Sequence, residues 1–474
     1  MSGPQQPEQQ LRRNLSGRHI QMIGLGGAIG TGLFLGSAGV IQAAGPAAIL
    51  GYAFAGLIAF LMMRQLGEML VDEPVSGSLS HFSDKYCGRF FGFLAGWNYA
   101  AMYLLVGMAE LTALGKYIHY WFPDIPLWMS AAGFFLFINL LNTLHVRVFG
   151  EVEFAFSLVK VVAIVLMIGF GVYLLSTGSV PGASVNNLVS HGGFMPHGIS
   201  GIVLALPFIM FAFGGLEMVG FAAGETENPR KTIPRAVNQV LFRIAIFYIG
   251  VLVVLLSLTP WNSLVDALNS GGDAYSASPF VKILSLIGST HAADILNFVV
   301  LTAALSVYNG VVYCSTRQLH SLAQQGSAPA KLLKLNKHGI PVNAQIVTAI
   351  ITVVAVGLNF LYPNGTLELL MALAVSITVI NWVLTSLTHL KFKKARRAVQ
   401  QQCFAAPLSP LSNYFCIASV LGILLTMAFI PAVQISVLIL PVWLLGLYLA
   451  YRKISGLHPL NGVQSPTVIV EDKP

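Results

Sequence analysis

Residues 24–36 read Gly-Leu-Gly-Gly-Ala-Ile-Gly-Thr-Gly-Leu-Phe-Leu-Gly and lie in the middle of the first long apolar segment of the chain. Six of these residues are glycine, which disfavours an uninterrupted lipid-facing helix. Inside hydrocarbon, an unpaired backbone N–H or C=O group costs several kcal/mol, so an unwound stretch persists only where protein, water or a ligand satisfies it. The stretch therefore predicts a broken helix and marks the first place to look for a binding site.

The composition indicates an all-α polytopic membrane protein. The 474 residues are 55% hydrophobic and only 9% charged, and the mean hydropathy is +0.74, which is far from the composition of a soluble chain. Apolar runs of about 20 residues, the length that crosses the hydrocarbon layer, predict twelve transmembrane helices. They lie near residues 20–44, 48–69, 91–119, 126–146, 153–176, 198–222, 239–259, 290–316, 343–362, 367–390, 411–430 and 434–451.

The positions of the basic residues predict the orientation in the membrane. If the N-terminus, with Arg12, Arg13 and Arg18, is cytoplasmic, the basic residues concentrate in every second loop, and the opposite side holds only Lys116 and Lys282. This distribution follows the positive-inside rule. It forms no basic groove with interleaved aromatic residues, so no nucleic-acid partner is expected. Both termini are expected to be cytoplasmic, and the polar N-terminus predicts no cleaved signal peptide.

A second interruption is predicted in the sixth span, where residues 211–217 read Phe-Ala-Phe-Gly-Gly-Leu-Glu. Broken helices at matching positions of two five-helix units indicate an inverted repeat with a mid-membrane site between the units. The predicted division is a cytoplasmic tail over 1–18, a first repeat over 19–180, a second over 181–395, and two further helices with a C-terminal tail over 396–474. A short external helix over 278–288 is expected to cover the outer mouth.

The first interruption is expected to bind the charged groups of a zwitterion. Unwinding over Ala28, Ile29 and Gly30 would leave the N–H groups of Thr31 and Gly32 at the start of the outer half-helix, where the helix dipole attracts a carboxylate. Carbonyl groups at the end of the inner half would face an ammonium group. The complementary half is expected from Phe211, Ala212, Phe213 and Gly214 in span 6. This arrangement favours a small amino acid over a sugar, although the GxxxG spacings also suit close helix packing alone.

Three charged residues lie well inside predicted spans, namely Glu110, Lys160 and Glu217. A charge in a transmembrane segment is costly unless it is paired, so each is a candidate for proton coupling. Burial disfavours the charged form of lysine, and Lys160 is therefore expected to exchange a proton during transport or to act as a fixed cation. A structural ion pair, or a lysine that reaches the cytoplasmic interface, is the alternative. Glu217 is expected to gate or to stabilise the second interruption, and Glu110 to relay protons or to accept a hydrogen bond.

Several polar and aromatic residues are candidates for supporting roles. Ser306 and Asn309 share one face of span 8 and are expected to support the site, with hydrogen bonds between helices as the alternative. The side-chain pocket is expected to include Tyr99, Met102, Tyr103 and Met108 of span 3, although such a stripe also suits ordinary packing. The sequence contains no metal-ligand spacing, no phosphate-binding loop and no set of nucleophile, base and orienting acid. Neither an enzyme nor a cofactor or metal is expected.

These stretches together resemble the bacterial amino acid permeases of the amino acid, polyamine and organocation (APC) superfamily, and closely their aromatic amino acid branch. The resemblance runs from about Leu11 to Arg452. It rests on residues 18–36, 63–69, 149–154 with Lys160, 213–217, 228–229 with 233–236, and 306–309.

The resemblance implies a LeuT-type fold of five plus five inverted helices with two additional helices, in the inner membrane, working by alternating access and driven by the proton gradient. It implies that residues 28–32 bind the carboxylate and amine of the substrate and that residues 211–214 form the unwound segment of span 6. Lys160 matches a lysine that replaces a sodium ion. The chain differs from the family at Ala100 and Ala101, where relatives carry bulkier residues, and this difference is expected to change the pocket volume.

The sequence therefore predicts a proton-coupled importer of a neutral L-amino acid, with phenylalanine, tyrosine or tryptophan favoured. A symporter of neutral aliphatic amino acids and an amino acid exchanger stay open as alternatives. From a different class, a membrane sensor that binds an amino acid without moving it, or a channel, is less favoured, because the sequence shows no cytoplasmic signalling domain and no continuous polar stripe along a span. The expected partners are the amino acid, protons and membrane lipid, and the chain is expected to be a monomer or a homodimer.

Overall fold

The computed structural model describes residues 16–75, 77–144, 146–226, 228–270, 278–286, 288, 290–362, 365–396 and 404–457, and no β-strand occurs within them. The first part of the chain forms α1 Gly17–Ala28, α2 Thr31–Phe34, α3 Ser37–Ala44, α4 Ala48–Asp72, α5 Ser78–Cys87, α6 Arg89–Trp121, α7 Leu127–Leu141, α8 Val146–Thr177 and α9 Asn187–Ser190. The second part forms α10 Gly198–Ala212, α11 Met218–Ala222, α12 Pro229–Arg243, α13 Val251–Leu258, α14 Trp261–Asn269, α15 Pro279–Leu286, α16 Thr290–Gln324, α17 Val342–Thr352, α18 Val354–Leu361, α19 Thr366–Ala395, α20 Leu411–Met427 and α21 Gln434–Leu457. A π-helix, Ile244–Gly250, connects α12 to α13.

Eight helical stretches of the described residues are long and apolar enough to cross a membrane. They are Thr31–Asp72, Arg89–Trp121, Val146–Thr177, Pro229–Leu258, His291–Gln324, Val342–Leu361, Thr366–Ala395 and Gln434–Ile454. Shorter apolar helices occupy Leu127–Leu141, Gly198–Ala212 and Leu411–Met427. These stretches overlap the predicted apolar runs, and Thr31–Asp72 extends across the first two of them. The all-helical class is confirmed for the described residues, and the apolar helices are consistent with a polytopic membrane protein.

The first apolar segment is interrupted at the glycine-rich stretch. Helix α1 ends at Ala28, Ile29 and Gly30 are not helical, and α2 begins at Thr31. Gly30 is extended, with φ −144° and ψ −156°. A Cβ atom on Gly30 would lie 2.6 Å from Val307 Cγ2, so a larger residue does not fit there. The interruption is therefore present, but the prediction that Ala28 is unwound is wrong, since this residue completes α1.

The sixth apolar segment is interrupted as well. Helix α10 ends at Ala212, residues 213–217 form turns, and α11 begins at Met218. Gly215 has φ +102°, a left-handed conformation that glycine adopts without a steric penalty. The prediction that Phe211 and Ala212 are unwound is wrong, because both belong to the last turn of α10.

The two interruptions lie against each other. A Cβ atom at Gly32 would lie 2.5 Å from Ala212 Cα, and one at Gly27 would lie 2.7 Å from the carbonyl oxygen of Gly215. Backbone therefore contacts backbone on both sides of the first break, which only residues without a side chain permit. Helices α8 and α16 pack against α1, and α6 packs along α16, so these three helices surround the break.

The short helix predicted over 278–288 is present as α15, Pro279–Leu286, and it lies against the second half of span 1. Ser278 Oγ donates a hydrogen bond to the carbonyl oxygen of Phe34 at 2.8 Å. The ring of Phe280 packs edge-on against the ring of Phe34, with centroids 5.2 Å apart. These contacts cover the end of α2 on that side.

Candidate functional site

The carboxylate of Glu110 occupies the start of α2. Its Oε2 atom accepts a hydrogen bond from Thr31 Oγ1 at 2.5 Å, and its Oε1 atom accepts one from the Thr31 backbone N–H at 3.3 Å. The side chain comes from α6 and is 2% exposed. A carboxylate suits this position because the first N–H groups of a helix lack intrahelical partners. The Thr31 N–H group, predicted to bind a substrate carboxylate, is therefore already bound by a carboxylate of the protein.

Lys160 binds the other side of the same break. Its Nζ atom donates a hydrogen bond to the carbonyl oxygen of Ile29 at 3.0 Å. This carbonyl lies in the interruption, so the lysine satisfies a backbone group that the broken helix leaves without a helical partner. The side chain of Lys160 is fully buried, and its electrostatic partners are Glu153 and Glu110. The alternative of a lysine that reaches the membrane interface is therefore wrong.

Glu153, which was not among the predicted site residues, connects α8 with α16. Its Oε1 atom accepts hydrogen bonds from Ser306 Oγ at 2.5 Å and from Ser157 Oγ at 3.3 Å, and its Oε2 atom accepts one from Asn309 Nδ2 at 3.2 Å. Ser306 and Asn309 therefore make hydrogen bonds between helices, which was the alternative interpretation. The spacing of Glu153, Ser157 and Lys160 places all three on one helix face. That spacing is the signal by which Glu153 was detectable in the sequence.

Glu217 lies inside the second interruption and holds its shape. Its Oε2 atom accepts a hydrogen bond from the Gly215 N–H group at 3.2 Å, and its Oε1 atom accepts one from Trp382 Nε1 at 2.5 Å. The first contact is local, and the second ties the turn to α19. These contacts favour the stabilising interpretation of this residue.

The free space between the two interruptions is small. A cavity of about 10 Å³ is lined by Gly27, Gly30, Gly32, Val106, Glu110, Phe211, Ala212, Gly214 and Val307. A cavity of about 10–15 Å³ holds roughly one water molecule, so an amino acid does not fit in this conformation. The ring of Phe211 lies over Gly32, with Cδ1 3.0 Å from the position of a Cβ atom. The site is therefore closed in this structure, and its occupation requires the lining side chains to move.

Two residues predicted to contact the substrate instead take part in aromatic clusters. The ring of Tyr103 stacks on Tyr99 at 5.9 Å and meets Phe221 edge-on at 5.4 Å. The ring of Phe213 lies 5.0 Å from the ring of Tyr248, whose hydroxyl donates a hydrogen bond to the carbonyl oxygen of Ala212 at 2.9 Å. Both clusters pack beside the interruptions and do not line the 10 Å³ cavity.

Ala100 and Ala101 lie on a different face of α6 from Glu110. Together with Met108 they line a separate cavity between α6, α16, α17, α19 and α21. The expectation that the two alanines change the volume of the substrate pocket is therefore wrong for this structure. Met108, expected in the substrate pocket, also faces the second cavity.

A buried ion pair joins α16 to the segment after α11. Arg317 Nε and Glu225 Oε1 are 2.9 Å apart, and Tyr313 donates a hydrogen bond from its hydroxyl to the same oxygen at 2.9 Å. The Arg317 guanidinium lies over the Tyr313 ring at 3.9 Å, and Phe149 of α8 stacks on that ring at 4.2 Å. This stack was not predicted, because its members come from three separate parts of the chain.

Comparison with known proteins places the chain among transport proteins. A family model described as amino acid permease matches residues 19–459. The aromatic amino acid transport protein AroP of Escherichia coli (strain K12) is 55% identical over 452 residues, which are 94% of this chain and 96% of the relative. AroP of Salmonella typhimurium (strain LT2) is 54% identical over 95% of this chain and 97% of the relative. The uncharacterized transporter YdgF of Bacillus subtilis (strain 168) is 38% identical over 95% of this chain and 97% of its own length. The protein is therefore a transporter and not an enzyme, and it belongs to the amino acid permease family.

Proposed function

We propose that the protein imports an aromatic L-amino acid across the inner membrane by proton-coupled alternating access. The observation that carries the proposal is the meeting of two interrupted helices, with a carboxylate and an ammonium group bound to the two sides of the first break. The relatives named aromatic amino acid transport protein support the substrate class, because they match nearly the whole chain at 54–55% identity.

The protein's own charged groups stand in for those of the substrate in the closed state. In the substrate-bound state, the carboxylate of the amino acid replaces Glu110 at the N–H group of Thr31 and also accepts a hydrogen bond from the N–H group of Gly32. Its ammonium group contacts backbone carbonyls of the interrupted segments. The ring of Phe211 moves away from Gly32 to admit the aromatic side chain, since the closed cavity holds roughly one water molecule.

Proton coupling is proposed to act through Glu110 and Lys160. An ionised Glu110 competes with the substrate for the start of α2, and its protonation removes that competition. Lys160 binds the end of the inner half-helix and interacts electrostatically with Glu153 and Glu110, so a change in its charge alters the same network. Glu217 is proposed to contribute indirectly, through the shape of the second interruption.

The architecture proposed for this function has twelve transmembrane helices, with both termini cytoplasmic. The repeats are proposed over residues 19–180 and 181–395, after a tail over 1–18, and residues 396–474 add two helices and a second tail. The two interruptions, five spans apart and in contact with each other, support this division.

Uptake of radiolabelled phenylalanine into proteoliposomes, in competition with each of the other amino acids and with or without an imposed proton gradient, tests the proposal. We expect aromatic amino acids to compete and the gradient to drive accumulation. Competition by aliphatic amino acids alone would contradict the substrate class, and accumulation that never exceeds binding stoichiometry would indicate a sensor.

The Lys160→Met variant tests the coupling separately. We expect gradient-driven accumulation to be lost while counterflow exchange survives. The Lys391→Met variant, which removes an exposed lysine at the end of α19, is the matched control and is expected to accumulate substrate normally. If the Lys160→Met variant accumulated substrate as the unmodified protein does, Lys160 would have no role in proton coupling.

A further inference from the structure

A second cavity of the helix bundle lies away from the interrupted helices. It has a volume of about 380 Å³ and lies between α6, α16, α17, α19 and α21. On α6 it is lined by the stripe from Trp97 to Met108, which includes Ala100, Ala101 and Leu104. That stripe covers about 16 Å along the helix, at 1.5 Å per residue. The cavity therefore runs along α6, in the direction in which this helix would cross the membrane.

The walls offer no free polar group to a ligand. Two serines line the cavity, and both hydroxyls donate to nearby backbone carbonyl groups. Ser376 Oγ donates to the carbonyl oxygen of Leu373 at 2.9 Å, and Ser436 Oγ donates to that of Val433, just before α21, at 2.7 Å. The lining indole N–H groups are also satisfied. Trp443 donates to Asn98 Oδ1 at 2.8 Å, and Trp97 donates to the carbonyl oxygen of Ser327 at 3.2 Å. A ligand of this cavity must therefore be wholly apolar.

The cavity opens at the periphery of the helix bundle, between α17 and α21. At this mouth Ile351 is 37% exposed and Ile439 is 43% exposed. The neighbouring outward-facing residues are also apolar, with Ile350 63% exposed and Leu438 71% exposed. Such a surface on membrane-spanning helices faces hydrocarbon, so lipid chains are the molecules that reach the mouth.

We propose that this cavity binds an acyl chain of a membrane phospholipid. The acyl chain lies along α6 and is covered by α21. Water does not replace the chain, because a buried water needs two to four polar partners and the walls offer none. An empty cavity of this size would leave its lining atoms without dispersion contacts. The small side chains of Ala100 and Ala101 provide the room, and the opposite face of the same helix presents Glu110 to the transport site.

Photolabelling tests the proposal on the intact protein. The chain is reconstituted in vesicles of phosphatidylcholine that carries a diazirine on its acyl chain, irradiated, and digested for mass spectrometry. We expect adducts on Leu104, which is only 8% exposed and lines the cavity. Leu166, which is 66% exposed on α8, reports labelling by bulk lipid in every sample. Labelling of Leu166 without labelling of Leu104 would overturn the proposal.

Two variants that close the cavity sharpen the test. Ala101→Leu fills its interior, and Ile439→Phe narrows its mouth at a half-exposed position, where a larger side chain is accommodated. We expect both to lose the Leu104 adducts and to keep those on Leu166, while Ala155→Leu, at an exposed alanine of α8, keeps both. If Ala101→Leu does not fold, Ile439→Phe decides. Unchanged Leu104 labelling in a folded variant that closes the cavity would overturn the proposal. Crosslinks between two protein chains through α21, with Leu104 unlabelled, would also overturn it, because they would show that a second copy of the chain covers the cavity.

Discussion

The replacement of Glu110 by glutamine tests whether this carboxylate competes with the substrate. Its two oxygens accept hydrogen bonds from Thr31 Oγ1 at 2.5 Å and from the Thr31 N–H group at 3.3 Å. A substrate carboxylate at the same N–H group would bring two like charges together. At a separation of about 4 Å and an effective dielectric constant of about 20, two such charges repel by about 4 kcal/mol. An ionised Glu110 therefore weakens the binding of the substrate carboxylate.

The expected magnitude follows from the contacts that the substrate must replace. A hydrogen bond to a charged group contributes about 1.5–3 kcal/mol, and each 1.4 kcal/mol is about tenfold in affinity. We therefore expect the affinity of the unmodified protein for phenylalanine to weaken by about tenfold or more from acidic to alkaline pH, as Glu110 loses its proton. Glutamine stays uncharged, so Glu110→Gln is expected to bind phenylalanine equally well at both pH values.

Equilibrium binding of radiolabelled phenylalanine measures the affinities, and proteoliposome uptake measures the coupling. For Glu110→Gln we expect pH-independent binding, preserved counterflow and no gradient-driven accumulation. Asp294→Asn neutralises an exposed carboxylate on α16 that accepts a hydrogen bond from Trp121, and this control is expected to behave like the unmodified protein. The reasoning is refuted if Glu110→Gln keeps both the pH dependence of binding and full accumulation.

Three further predictions concern the scaffold of the site. Gly32→Val places side-chain atoms inside the backbone of α10, so uptake is expected to be lost, whereas Gly422→Ala, which enters open space, is expected to transport normally in the same assay. Arg317→Met leaves the buried Glu225 carboxylate without its cation and is expected to destabilise the protein by about 3–5 kcal/mol. Arg396→Met removes one partner of the half-exposed ion pair with Asp72 and is expected to cost less than about 1 kcal/mol. Equal losses of thermal stability in the two variants would contradict this difference. Hydrogen bonds from His81 and Lys85 lower the pKa of Glu73 from 4.5 to about 2. The ionised Glu73 carboxylate therefore stabilises the fold above pH 4.5, and this stabilisation is lost as the pH falls toward 2. We expect the melting temperatures of Glu73→Gln and of the unmodified protein to converge between pH 4.5 and pH 2 and to differ above pH 4.5.

Local pattern was enough to predict the helices and their interruptions. Apolar runs located the long apolar helices, and the glycine-containing stretches 24–36 and 211–217 located both breaks to within two residues. The buried charges Glu110, Lys160 and Glu217 were also apparent from the sequence, because a charge inside an apolar run is conspicuous. These features depend on residues close together along the chain.

The partners of those charges, in contrast, were decided by tertiary structure. Glu110 meets Thr31 across 79 positions, and Lys160 meets Ile29 across 131, so the contacts depend on how the helices are rotated and shifted against one another. The rotation of α6 likewise directs Glu110 toward the interruptions and Ala101 toward the peripheral cavity. Hydropathy does not encode this rotation, because lipid chains and the interior of a membrane protein are equally apolar. Sequence pattern therefore determined which segments form long apolar helices and where two of them break, and the packing of the helices determined which side chains meet at the break.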